Sequence, residues 1–182
     1  SIFLNKKKLN INVITPFPKM FDVITNESIL LQSFKKGLVE FNIYNLFDFL
    51  KTAKDRIDDY PFGGGEGMIM KAGPIANALN KVKNNYTSTR IIFPTPDGIL
   101  FNQEIAYDLA KEESLTFISG HYKGIDQRIR DEFVTDEYSI GDYVLTNGEL
   151  PTMLMLDSIV RLKEGVLNNY KSATKDSFSN EL

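Results

Sequence analysis

Two short runs, Arg90-Ile91-Ile92-Phe93 and Leu115-Thr116-Phe117-Ile118, are apolar on both of their alternating faces. A strand of that kind has no side to give to water, and it belongs in a parallel sheet covered by helices above and below. Residues 103–112, between the two runs, read as a helix, the crossover that parallel neighbours require. The rest of the chain repeats the theme. Leu9-Asn10-Ile11-Asn12-Val13 alternates as a strand and is closed by Thr15-Pro16-Phe17-Pro18. Residues 28–36 read as a helix stopped by Gly37, and Val39-Glu40-Phe41-Asn42-Ile43 alternates again. Residues 75–82 form a helix introduced by Gly73-Pro74, Phe133-Val134 is a further short apolar run, and residues 151–163 form a helix with Pro in its first turn and Gly165 beyond its end. The pattern predicts an α/β fold with an open, mostly parallel sheet.

Composition narrows the function classes. With 182 residues and 42% apolar side chains the chain can bury one sizeable core. It has no Cys, which removes disulfide scaffolds, thiolate clusters and Cys nucleophiles and fits a reducing, cytoplasmic setting; a single His removes most zinc arrangements as well. No run approaches the roughly 20 apolar residues of a membrane helix, and SIFLNKKKLN is not a signal peptide, so no membrane partner is expected. Lys and Arg total 21 against 24 Asp and Glu, a net charge of −3. Nucleic-acid binding then has to come from a local basic patch or a partner chain.

Open α/β sheets bind ligands beyond the carboxyl ends of their strands. Three segments rich in Gly, Pro and polar residues fall at such places: Pro94-Thr95-Pro96-Asp97-Gly98, residues 120–126 and residues 140–151. Glycine admits close backbone approach and Tyr offers an apolar face with a polar tip, so these loops suit a flat, partly apolar ligand gripped by backbone groups. On pattern alone they read equally as turns. No GxxxxGK[ST] occurs, and Gly63-Gly64-Gly65-Glu66-Gly67 lacks the G-x-G-x-x-G spacing because Met68 stands at the last position. His121 reads as a hydrogen-bonded or solvated imidazole, not a metal ligand, and Lys6-Lys7-Lys8 as a solvated arm. Arg161 and Asp176 are ordinary surface charges by spacing.

The local sequences carry more than the spacing. Residues 58–68 (DDYPFGGGEGM), 120–128 (GHYKGIDQR), 139–151 (SIGDYVLTNGELP) and 172–178 (SATKDSF) occur in that order. Together they closely resemble the bacterial tRNA (guanine-N1)-methyltransferases that modify the guanosine immediately 3′ of the anticodon, position 37, and the likeness runs from about Leu9 to the last residue. The resemblance implies a SPOUT-type fold: an α/β sheet whose C-terminal part is tied in a deep trefoil knot, working as a homodimer. It implies a methyltransferase domain over residues 1–165, with the knot at about 90–165, and a linker and catalytic tail over 166–182.

In that family the knot loops hold S-adenosylmethionine in a bent shape. The residues carried over as cofactor contacts are Pro94 and Pro96 in the first loop, Gly120, Tyr122 and Gly124 in the second, and Ile140, Gly141, Tyr143, Leu145, Gly148 and Pro151 in the third. Asp176 matches the general base that takes the proton from guanine N1, and Arg161 the arginine that supports catalysis. The implied partners are a tRNA with G at position 37 and a second copy of the chain. Lys123 stands where Glu is frequent in the G-x-Y-E-G-I-D form of the motif, a site linked to magnesium use, so the magnesium requirement stays open. Asn147 stands where Gly is usual, and Tyr60 where Arg is common. The family's small helical C-terminal domain, which grips tRNA, does not follow within these 182 residues, so the expected tRNA affinity is weak. A non-catalytic cofactor-binding core is the alternative reading.

Overall fold

A computed structural model describes residues 7–59, 69–120, 123–163 and 165–166. Five parallel strands make the main sheet: β1 (Leu9–Thr15), β2 (Val39–Asn45), β5 (Arg90–Leu100), β6 (Ser114–Ile118) and β7 (Asp136–Ser139), in the spatial order β2-β1-β6-β5-β7. A small antiparallel pair, β3 (Asp58–Asp59) and β4 (Ile69–Met70), stands apart. The open, mostly parallel sheet expected from the two-sidedly apolar runs is therefore present.

Residue parity explains the layering. Leu9, Ile11 and Val13 of β1, Ile92 of β5, and Leu115 and Phe117 of β6 face one side. There they pack on α2 (Ser28–Lys35), α4 (Gln103–Ala110) and α6 (Glu149–Val160). Ile14, Ile91, Phe93 and Ile118 face the other, against α3 (Ala72–Asn85) and α5 (Gln127–Glu132). Central β6 is buried along its whole length. Its two-sided apolarity is what forces helices onto both faces.

The helices expected at 28–36, 75–82, 103–112 and 151–163 all form, with boundaries shifted by a few residues, as termini commonly are. Three other features differ from expectation. Phe133-Val134 is not a strand: Phe133 caps the C-terminal end of α5, and the edge strand is β7. The strand hides because its sequence, Asp-Glu-Tyr-Ser, is polar, and its acids are spent on arginines. Arg90 Nη2 donates to Asp136 Oδ1 at 2.7 Å, and Arg130 Nε donates to Glu137 Oε1 at 2.8 Å. Second, the segment Pro94–Gly98 is not a free loop but an outward bulge within β5: Tyr138 pairs with Pro94 and again with Ile99. Two prolines, each without an N–H for the ladder, make a regular strand impossible there. Third, a 3-10 turn at Pro18–Phe21 and the short helix α1 (Asp22–Asn26) follow β1, where the sequence reading assigned no element.

Candidate functional site

The carboxyl ends of the neighbouring strands β6, β5 and β7 open into a cavity of about 220 Å³. Its wall comes from the three segments that the sequence singled out. The β5 bulge contributes Pro94, Thr95, Pro96 and Asp97; the chain after β6 contributes Gly120, Lys123 and Gly124; the chain after β7 contributes Ile140 and Gly141, then Tyr143, Val144, Leu145, Asn147, Gly148 and Pro151.

The second and third segments are fixed from behind. The second is pinned by β4, where Met70 N–H donates to Gly124 O at 3.2 Å and Asp126 N–H donates to Met70 O at 2.9 Å. Asp126 then starts α5 as its N-cap, accepting from Arg128 N–H at 2.9 Å, and the Arg128 guanidinium holds its carboxyl below the usual range. The third segment turns on Ser139, whose hydroxyl donates to Gly141 O at 2.8 Å and accepts from Gly141 N–H at 3.1 Å. A Cβ on Gly141 would run into the Tyr143 ring. The second and third segments meet backbone to backbone: Gly148 N–H donates to Gly120 O at 2.8 Å, and a Cβ on Gly148 would lie 2.7 Å from the Gly120 nitrogen. Only glycine allows that approach.

The cavity's charge is mostly cancelled internally. Arg130, on α5, gives Nε and Nη2 to the two Glu137 oxygens at 2.8 Å each and lies 5.4 Å from the centre of the Phe93 ring. This pairing lowers the Glu137 carboxyl and raises the Arg130 guanidinium. Asp97 stands 3.9 Å from Arg130 on the bulge side. The rest of the wall includes backbone, proline, Ile140, Leu145 and the half-exposed Tyr143, with Lys123 and Asn147 as polar side chains, a surface for a flat and partly apolar molecule.

Ten of the eleven residues carried over as cofactor contacts line this one cavity. The eleventh, Tyr122, lies outside the described residues, as do His121, Tyr60 and Asp176. Arg161 caps the far end of α6, half-buried, and is not part of the cavity wall. Of the lysine cluster, Lys7 pairs with Glu113, and Lys8 with Glu40 at 3.5 Å. Sequence reasoning missed Phe93, Arg130, Tyr138 and Ser139 on the wall. β7 carries no apolar run, so nothing in the sequence pointed to the Glu137 that holds Arg130.

Behind the wall, Glu149 at the start of α6 is fully buried and accepts a hydrogen bond from Thr15 Oγ1 at 2.7 Å. Burial pushes its carboxyl up to about 7, against the opposing pull of Thr15 and its own amide. On the outer side, Leu150 and Leu154, one helical turn apart on α6, are exposed, as are Phe17 and Val23 around the 3-10 turn that packs on α6. Among the described residues, no three His, Asp or Glu stand together to hold a metal ion, and no helix is long and apolar enough to cross a membrane.

Comparison with known proteins gives a single answer. The family model described as tRNA (Guanine-1)-methyltransferase TrmD matches residues 9–182. The tRNA (guanine-N(1)-)-methyltransferase of Staphylococcus carnosus is 49% identical over 174 residues, covering 96% of this chain and 71% of the relative. That of Bacteroides thetaiotaomicron is 45% identical over 174 residues, covering 96% and 77%. The crystal structure of the tRNA (m1G37) methyltransferase from Aquifex aeolicus superposes with a TM-score of 0.82 at 34% identity, covering 89% of this chain and 73% of that one. A match over nearly the whole chain, coinciding with a cavity built from the motif-bearing segments, places it plainly: the chain belongs to the tRNA (guanine-1)-methyltransferase family.

Proposed function

We propose that this protein transfers a methyl group from S-adenosylmethionine to N1 of the guanosine at position 37 of tRNA. The observation that carries the reading is the coincidence of the family match with the cavity: ten motif residues from three separate segments converge on one wall. The cavity suits the cofactor chemically. Tyr143, Ile140 and Leu145 give an apolar slot for a purine, and the Gly120–Gly148 contact brings main-chain polar groups within reach of its edges. Bound there, S-adenosylmethionine supplies a sulfonium methyl that needs alignment more than activation.

The protein's own part is to make guanine N1 a nucleophile. N1 carries a proton at neutral pH, and Asp176, in the tail outside the described residues, takes it; a well-placed general base contributes roughly 10²–10⁴-fold. Charge then grows on O6, which the Arg161 guanidinium stabilises. The base enters splayed out of the anticodon loop. Arg161 sits away from the cavity wall of its own chain, which suits a site completed by the second copy of a homodimer. The exposed Leu150–Leu154 face of α6 is the surface for that copy, and the close Gly120–Gly148 crossing is the contact expected where a C-terminal trefoil knot draws its loops together. Residues 166–182 act as linker and catalytic tail of the domain formed by 1–165, and the enzyme works in the cytoplasm on tRNA.

Mass mapping of a tRNA carrying G at position 37, after incubation with the chain and S-adenosylmethionine, tests this directly. One methyl on that base nucleotide is expected. Cofactor binding by calorimetry without any methyl transfer overturns the enzymatic reading in favour of a binding core.

A further inference from the structure

Glu149 follows directly on Gly148, whose amide closes the cavity wall onto Gly120. Its side chain turns away from the cavity, toward the end of β1, and is fully buried. Oε1 accepts from the Thr15 hydroxyl at 2.7 Å, and that hydroxyl oxygen itself accepts from Phe17 N–H at 2.9 Å. One turn along α6, Thr152 Oγ1 donates to Gly148 O at 2.8 Å and lies 2.9 Å from Ser119 Oγ, at the end of β6. Residues 148–152 are thus lashed by side chains to the ends of two strands, directly behind the backbone that walls the cavity.

Within this lashing the carboxyl is the costly member. Its second oxygen, Oε2, is buried with no partner among the described residues. Accepting one hydroxyl does not require a charge-bearing group in the interior, and the same bond is open to an amide. It is the bond to Thr15 itself, and not the charge, that ties the first turn of α6 to the end of β1. A backbone-lined pocket depends on such fixing, because its selectivity rests on main-chain positions held to fractions of an ångström.

We infer that Glu149 is a positioning residue for the cofactor cavity: through Thr15 it holds the start of α6, and with it the Gly148–Gly120 contact, at the spacing the ligand requires. It touches neither the cofactor nor the reacting atoms. The inference rests on the reading of the cavity as the S-adenosylmethionine site.

The test is calorimetry of S-adenosylmethionine binding to the 182-residue chain and to its Glu149→Ala, Glu149→Gln, Thr15→Val and Glu149→Ala/Thr15→Val variants, each with its thermal unfolding curve. The two single truncations are expected to weaken binding by about tenfold each, and the double variant by no more than either, since both cut one linkage. Glu149→Gln, which can still accept from Thr15, is expected to bind within about threefold of the unsubstituted chain. Truncations that fold and bind normally overturn the inference, as does a double variant whose loss is the product of the two. Should Glu149→Ala not fold, Thr15→Val and Glu149→Gln decide it: normal binding by the first or a tenfold loss in the second overturns it. An unsubstituted chain that binds no cofactor overturns the reading of the cavity itself, a failure distinct from these.

Discussion

Two residues near the cavity show how single positions tie fold to chemistry. Glu149 titrates near 4.5 when solvated and holds its proton to about 7 in the fold, chiefly through burial, with no charged group adding to the effects of Thr15 and its own amide. Below about pH 4.5 folded and unfolded chains are both protonated there, and the carboxyl costs nothing. As pH rises to about 7 the unfolded chain releases a proton that the folded chain keeps, so stability falls, by about 3 kcal/mol once both forms are ionised. Glu149→Gln removes that loss. Its melting temperature relative to the unsubstituted chain should therefore climb by roughly 6–12 °C between pH 5 and pH 8. A gap that stays constant across that range counts against the buried carboxyl. Gly141 works by shape instead: its Cβ position is occupied by the Tyr143 ring, so Gly141→Val must push that ring off the wall. Gly141→Val and Tyr143→Ala should both weaken S-adenosylmethionine binding, and calorimetry showing normal affinity in both removes the third segment from the pocket. Asp176→Ala, by contrast, should lose turnover by about 10²–10⁴-fold with cofactor affinity kept within a few-fold; near-normal methyl transfer by that variant refutes the base assignment.

At the level of elements, what could be read from sequence was whatever burial imposes on pattern. The runs at 90–93 and 115–118 announced central strands because Ile91, Ile92, Phe117 and Ile118 must each face a helix layer. The edge strand β7 was illegible for the converse reason: its acidic residues answer to Arg90 and Arg130, partners 46 and 7 positions away that no local period encodes. Likewise Pro94-Thr95-Pro96-Asp97-Gly98 signalled a break, yet whether the strand resumes at Ile99 depends on Tyr138 pairing twice. The site was legible as three segments suited to one ligand, but not the contact that joins Gly120 to Gly148, which is tertiary. That contact makes a prediction at this scale. Gly148→Ala sets a methyl against backbone at 2.7 Å, so the two segments must part, at a cost of roughly 1–3 kcal/mol. Loss of cofactor affinity together with a lowered melting temperature is expected, and a variant unchanged in both would show that the crossing is looser than drawn.

For the molecule as a whole, charge and exposed apolar surface point the same way. With a net charge of −3, and Lys7 and Lys8 engaged by Glu113 and Glu40, the single chain offers little general attraction for an RNA backbone. The exposed leucines of α6 lie on the helix whose opposite side, Met155, Leu156 and Ile159, is fully buried in the core. Two exposed leucines one turn apart on a core helix form an apolar patch, bordered by exposed Asp157, that calls for a covering partner. If that partner is the second copy proposed above, dimerisation becomes a condition of turnover. Leu154→Glu separates the two levels of the argument. In the homodimer proposed above, placing a charge on this face should yield a monomer by light scattering and abolish methyl transfer. Cofactor binding should persist within a few-fold, because Leu154 is not part of the cavity wall. A monomer that still methylates tRNA would mean that each chain completes its own site, and Arg161 would then need another route to the substrate.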